Sequence, residues 1–182
     1  VTARRAPLYD IERQRRRAVT IRGATLEDLQ AITEIYNEAV LSSVSTFDTE
    51  PKTLEQQRVW LAAHGERYPV LVAEEAGRVI GWAGLSAWSE RCAYADTAEG
   101  SLYVHPEHRG RGIGRRLTEA LLEAGRRAGL HTIVARTESG NAASLHLLQS
   151  CGFRHIGVMK EVGSKFGRRL DVTLMQLIYP EG

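Results

Sequence analysis

At 182 residues, 43% hydrophobic and 25% charged, the chain has the composition of one soluble globular domain with a substantial core, which excludes a disordered or fibrous protein. No apolar run approaches the roughly 18 residues of a membrane helix, and the N-terminus lacks the apolar centre of a secretory signal, so no membrane insertion is expected and a cytoplasmic setting is the default. The formal charge of +2 is uneven: residues 1–18 hold six arginines against Asp10 and Glu12, a basic extension ahead of a single domain at 19–182.

That arm has only Tyr9 for stacking and no recognition motif, so no nucleic-acid partner is expected. Residues 19–21 then read as a first strand. Thr25 and Asp28 form a capping signal for a helix with Leu29, Ile32, Tyr36, Ala39 and Val40 inward. Thr53 and Gln56 repeat the signal before a second helix presenting Val59, Trp60 and Ala63. Pro69 opens a strand at 70–74, Ala76-Gly77-Arg78 turns it back, and 79–85 returns. Cys92 and Cys151 lie far apart and fit reduced thiols, with Cys151 in the core.

A strand at 100–104 runs into Pro106 and then into glycine-spaced arginines, Arg109-Gly110-Arg111-Gly112-Ile113-Gly114-Arg115-Arg116. Beyond them Ile113, Leu117, Ala120, Leu121, Ala124 and Ala128 recur at helical steps, with Gly129 as C-cap. A helix leaves its first four amides unpartnered and carries positive charge at that end, so an anion completes it. Glycines let a phosphate approach the amides, and Arg109, Arg111, Arg115 and Arg116 add charge around it. The spacing excludes a P-loop, because Gly114 is followed by Arg115 rather than Lys-Ser or Lys-Thr. It also excludes a dinucleotide fingerprint, whose third glycine falls on Leu117 or Arg115. No metal site is expected at His105-Pro106-Glu107-His108, since Pro106 breaks the spacing that would aim both imidazoles at one ion.

After this helix come a strand at 132–135 and a hairpin of 156–162 and 168–179 through Ser164-Lys165-Phe166-Gly167. Antiparallel strands followed by a β-α-β crossover imply an α/β (α+β) class fold, a mixed, mostly antiparallel sheet with helices on both faces.

The remaining phosphate pattern, Arg-x-x-Gly-x-Gly at Arg109 to Gly114, resembles the coenzyme A pyrophosphate loop of the GCN5-related N-acetyltransferases (GNAT). Asn141 and Ser144, followed by Gly152-Phe153, look like the second half of that cofactor site. A closer likeness is to the phosphinothricin and methionine sulfoximine acetyltransferase branch, in Ile35-Tyr36-Asn37, Phe47-Asp48-Thr49-Glu50-Pro51, Thr97-Ala98-Glu99 and residues 162–171. The likeness covers about residues 19 to 179. Two departures stand out. Leu148 occupies the place where many relatives carry a Tyr or His acid, and Trp88 is followed by Ser89-Glu90-Arg91 where the branch tends to have an Arg.

The resemblance implies acetyl-CoA as co-substrate, no metal, and a sheet split between two central parallel strands near residue 104 that takes the pantetheine arm. Diphosphate would lie on residues 109 to 115 and the arm's amides on Leu102, Tyr103 and Val104, with the thioester carbonyl near the Val104 or His105 amide. It implies an acceptor pocket from Phe47, Trp88, Arg91 and Tyr94, with Arg91 pairing a substrate carboxylate. Lys165 would border the site or a homodimer contact. Strand alternation puts Glu99 on one face with Ser101 and Tyr103, and the Thr97-x-Glu99 likeness makes Glu99 the base that takes the proton of a small-molecule amine. His146, two helical positions from Leu148, faces away and does not replace the acid. The expected activity is acetyl transfer to a small amino-acid-like amine. The alternatives are acetylation of a protein or peptide amine, or a silent CoA-binding regulator.

Overall fold

The computed structural model describes residues 18–180; apart from Ala18, the basic extension lies outside the described residues. Seven strands form one sheet in the order β1-β2-β3-β4-β5-β7-β6: β1 (Thr20–Gly23), β2 (Val70–Glu75), β3 (Arg78–Ala87), β4 (Thr97–Val104), β5 (Thr132–Glu138), β6 (Arg154–Lys165) and β7 (Arg168–Ile178). All neighbours are antiparallel except β4 and β5, the pair joined by the crossover. The mixed sheet is the expected one, with several strands longer than their apolar runs. In β6 the extra length comes with breaks in register after His155 and Met159, which interrupt the simple alternation.

Helices cover both faces. On one side α1 (Leu29–Ser42) buries Ile32 and Ile35 against Val70, Val72 and Trp82, with Trp60 of α2 (Leu54–Ala62) beside them. On the other, α3 (Ile113–Arg127) buries Ile113, Leu117 and Leu121 against Ile80, Leu85, Ile133 and Met175, and α4 (Ala142–Ser150) adds Leu145 and Leu148. Thr25 caps as expected: its amide donates to Asp28 Oδ2 at 2.8 Å, and one 3₁₀ turn precedes α1. Gly129 ends α3 with φ 78°.

One expectation for α2 is corrected. Val59 is 62% exposed, while Gln57 is buried. The inward face is Gln57, Trp60, Leu61 and His64, the three- and four-residue steps set by Trp60 packing at 5.3 Å on Trp82. Val59 lies off that face despite its hydrophobicity.

The parallel pair carries only three rungs, Thr97 with Thr132, Ala98 with Ile133 and Glu99 with Val134. Beyond them each strand stays with its outer neighbour, β4 with β3 as far as Val104 and β5 with β7 as far as Glu138. The sheet therefore opens from residue 100 onward, earlier than the expected residue 104.

Candidate active site

The opening exposes backbone groups selectively. His105 donates its amide to the Ile80 carbonyl at 2.9 Å, so His105 is not available to polarise a substrate carbonyl. Antiparallel alternation then turns Tyr103 and Ser101 toward β3 and leaves the Leu102 and Val104 amides facing the split. The Val104 carbonyl accepts from Arg109 Nε at 3.0 Å, which ties the glycine loop to the end of β4.

Gly112 is the N-cap of α3, with φ 75° and no side-chain cap, and the first amide to bond back is that of Arg116, to the Gly112 carbonyl at 3.1 Å. Among the described residues the amides of Ile113, Gly114 and Arg115 are left as open donors at the positive end of the helix. The glycines differ in what they permit. Gly110 and Gly112 adopt left-handed φ of 73° and 75°, whereas Gly114 admits close packing, because a Cβ there would lie 3.3 Å from Leu147. The loop arginines also divide. Arg111 is ion-paired with Glu75 and bonded to His108 Nδ1, and Arg116 donates to the Val19 carbonyl, both away from the split. Arg109 lies 3.5 Å from Glu38, and Arg115 pairs with Glu119 on an exposed face.

The histidines come closer together than Pro106 suggests, without making a metal site. A 3₁₀ turn, Pro106–His108, stacks residues three apart on one side, so ligand atoms of His105, Glu107 and His108 come within 4.8 Å of one another despite the proline. Arg111 places its guanidinium against this cluster, which opposes a cation there.

Inside the split lies a cavity of about 430 Å³. Glu99, Ser101, Leu102 and Tyr103 of β4 face it together with Arg136 and Glu138 of β5. Asn141, Ser144, Leu147 and Leu148 of the α4 segment close one end, and Phe47, Met159 and Val162 the other. Asn141 also caps α4, its Oδ1 accepting from the Ser144 amide at 3.1 Å. The site thus gathers six expected residues, Phe47, Glu99, Leu102, Tyr103, Asn141 and Ser144. His146 is exposed and outside the cavity, as its helical phase requires.

Glu99 is held by a forked ion pair, Arg136 Nε to Oε1 and Nη2 to Oε2, both at 2.6 Å. The pair links Glu99 of the last β4–β5 rung to Arg136, two positions past Val134 on the same face of β5. The carboxylate holds the Arg136 pKa above its ordinary value. Arg136 also lies 5.7 Å from the Trp88 ring centroid, so a guanidinium does reach Trp88, from β5 rather than from residue 89.

The loop carrying Phe47 is pinned from three sides. Tyr36 donates its hydroxyl to Asp48 Oδ2 at 2.6 Å, and Lys165 donates Nζ to the Thr46 carbonyl at 2.9 Å. Gly163 lies against the Phe47 ring, where a Cβ would overlap it. Lys165 is only 4% exposed, its pKa lowered by burial, and it holds this loop rather than lining the cavity. Tyr103 packs edge-on to Tyr36 at 5.1 Å, and burial pushes its hydroxyl up to about 12. Arg91 and Tyr94 sit in the exposed connection between β3 and β4, beyond the last β3–β4 rung at Ala87 and Ala98, and do not line the cavity.

Residues 29–153 match the acetyltransferase (GNAT) family. The chain belongs to that family. It is 44% identical over 160 residues to the L-amino acid N-acyltransferase MnaT of Escherichia coli, covering 87% of this chain and 93% of the relative. It is 45% identical over 160 residues to the L-methionine sulfoximine/L-methionine sulfone acetyltransferase of Salmonella typhimurium, covering 87% and 94%. Among solved structures it resembles a GNAT phosphinothricin acetyltransferase from Sinorhizobium meliloti in complex with acetyl-CoA, with a TM-score of 0.87, 38% identity and 90% of each chain covered.

In this acetyltransferase four cavity residues, Arg136, Thr46, Met159 and Val162, carry no sequence signature of a site. Alternation from Val134 would have put Arg136 on the same face as Glu99, but no motif marks it. Met159 and Val162 reach the site through the irregular register of β6, which has no local signature.

Proposed function

We propose that the protein moves an acetyl group from acetyl-CoA to the primary amine of a small amino-acid-like acceptor, of the phosphinothricin or methionine sulfoximine kind, by direct attack. One observation carries this reading: the open amides at the start of α3 lie beside Leu102 and Val104 of the split, and the cavity within that split is lined by an ion-paired carboxylate. These groups fit the coenzyme, since uncapped amides and left-handed glycines suit a diphosphate, and the Leu102 and Val104 amides suit an amide-bearing arm. When bound, acetyl-CoA supplies an activated thioester whose thiol, of pKa about 8.5, leaves without an enzymic acid. That accounts for an apolar Leu148 in the cavity.

The acceptor amine, with a pKa of roughly 10, is neutral in only about one molecule in a thousand at pH 7. Glu99 takes its proton. The Val104 amide donates toward oxygen as negative charge develops, and Phe47, Met159 and Val162 receive the acceptor's side chain. A cavity of this size favours a small acceptor over a peptide.

Use of acetyl-CoA supports a cytoplasmic setting for the reaction; among the described residues no helix is long and apolar enough to cross a membrane. The chain acts as a homodimer in this reading. β6 is the sheet edge, with Ile156, Val158 and Val162 exposed along it and Phe166 at its turn. Sedimentation is expected to give twice the 20.2 kDa of one chain, and a concentration-independent monomer would overturn the dimer. Thiol release from acetyl-CoA with a panel of amino acids, methionine sulfoximine, phosphinothricin, polyamines and peptides tests the activity. Turnover confined to amino-acid-like amines supports it; coenzyme binding with no turnover on any amine would leave a regulator instead.

A further inference from the structure

The Glu99–Arg136 pair is unusual furniture for a site whose base must accept a proton, because a forked guanidinium competes for that carboxylate. Its geometry leaves specific groups open. Arg136 commits Nε and one N–H of Nη2 to Glu99, and among the described residues it makes no other hydrogen bond, so three of its five N–H groups remain. Two of these lie on the Nη1–Nη2 edge, a second fork that matches a carboxylate. Glu99 in turn uses one lone pair on each oxygen and keeps acceptor capacity for an ammonium. The Trp88 ring faces the guanidinium at 5.7 Å, within cation–π range. The result is a fixed plus-minus pair in the cavity lining, with an open donor edge beside an open acceptor.

An α-amino acid carries the opposite arrangement, an ammonium and a carboxylate one carbon apart. We propose that the Glu99–Arg136 pair receives the zwitterionic head of the acceptor, with Arg136 as the specificity-determining residue that takes its carboxylate while the amine lies at Glu99. This rests on the acetyl-transfer reading above. It moves the carboxylate-binding role from Arg91, which lies outside the cavity, to a residue that lines it. The acceptor class follows: amino acids with a free α-carboxylate and a side chain short enough to lodge among Phe47, Met159 and Val162.

The test compares L-methionine sulfone with its decarboxylated counterpart, 3-(methylsulfonyl)propan-1-amine, as acceptors for wild type, Arg136→Gln and Arg136→Lys. Either substitution also disturbs Glu99, but that change acts on both acceptors and cancels in the ratio of their kcat/KM values. Wild type is expected to prefer the amino acid. In Arg136→Gln this preference falls about 10- to 100-fold, chiefly through KM for the amino acid, as for loss of a charged hydrogen-bonded partner. Arg136→Lys keeps the charge without the fork and retains part of the preference. Acetyl-CoA affinity by calorimetry, within twofold of wild type, verifies that a variant is folded. If Arg136→Gln does not fold, Arg136→Lys decides, since an unchanged preference there contradicts a forked contact. Wild-type turnover of methionine sulfone with a preference unaltered by substitution overturns the role of Arg136 alone. Absence of wild-type turnover on every amine overturns the acetyl-transfer reading, and the role of Arg136 with it.

Discussion

Glu99, Gly112 and Gly163 each make a separable demand on a single position. Glu99→Gln keeps the shape and one acceptor oxygen but cannot take a proton. It is expected to lower kcat at pH 7 by about 10²- to 10⁴-fold, with partial recovery at higher pH as the acceptor amine becomes neutral in solution. Steady-state rates from pH 7 to 10 check this, and an unchanged rate at pH 7 would remove Glu99 as base. At Gly112 there is open space for a Cβ but φ is 75°, so the strain is purely conformational. Gly112→Ala should cost about 1 to 2 kcal/mol, seen as a fall in Tm of roughly 2–8 °C, and Gly112→Asn, which tolerates that region, should recover part of it. Gly163→Ala acts through a neighbour. Its methyl displaces the Phe47 ring, so KM for the acceptor is expected to rise several-fold while affinity for acetyl-CoA, held at the other end of the split, stays unchanged.

At the scale of elements, α1 is docked on the sheet edge by one buried carboxylate. Asp28 Oδ2 accepts from the Thr25 amide at 2.8 Å, and both Asp28 oxygens take Arg22 of β1, which also pairs with Glu74 of β2. The Arg22 guanidinium holds the Asp28 carboxyl below its ordinary value of 3.8. The unfolded chain therefore binds the proton first as pH falls. The stabilisation is complete above about pH 3.8 and is lost as pH drops through the depressed folded value. Asp28→Asn should cost about 1–3 kcal/mol at pH 7, toward the lower figure because Arg22 is partly exposed, and the gap from wild type should close in denaturant titrations at progressively lower pH. Elements of this kind were legible in sequence where the determinants are local: Thr25 with Asp28, the apolar phase of α3, and the glycine loop with its helix. They were not legible where a distant partner decides. The phase of α2 depends on Trp82, some twenty residues on, so hydrophobicity favoured Val59 over Gln57. Arg136 matters because Glu99, 37 positions earlier, lies across the parallel pair, and neither residue carries that information alone.

Across the whole molecule, the split makes the central strands incomplete in a patterned way. Between Ser101 and Val104 the amides alternate, Ser101 and Tyr103 toward β3, Leu102 and Val104 toward the opening. A coenzyme arm that completes the sheet like an added strand must then change amide exchange at alternate residues. Acetyl-CoA is expected to slow exchange of the Leu102 and Val104 amides, together with Ile113, Gly114 and Arg115 at the start of α3, beyond the general rise in protection. Ser101 and Tyr103, already bonded to β3, should gain only that general rise, about 2.7 kcal/mol at a hundredfold excess over Kd. Residue-resolved exchange by NMR with and without acetyl-CoA distinguishes the two. Uniform slowing along β4 would mean that the coenzyme tightens the fold without entering the split, whereas slowing confined to the helix start would mean that the diphosphate binds while the arm lies elsewhere.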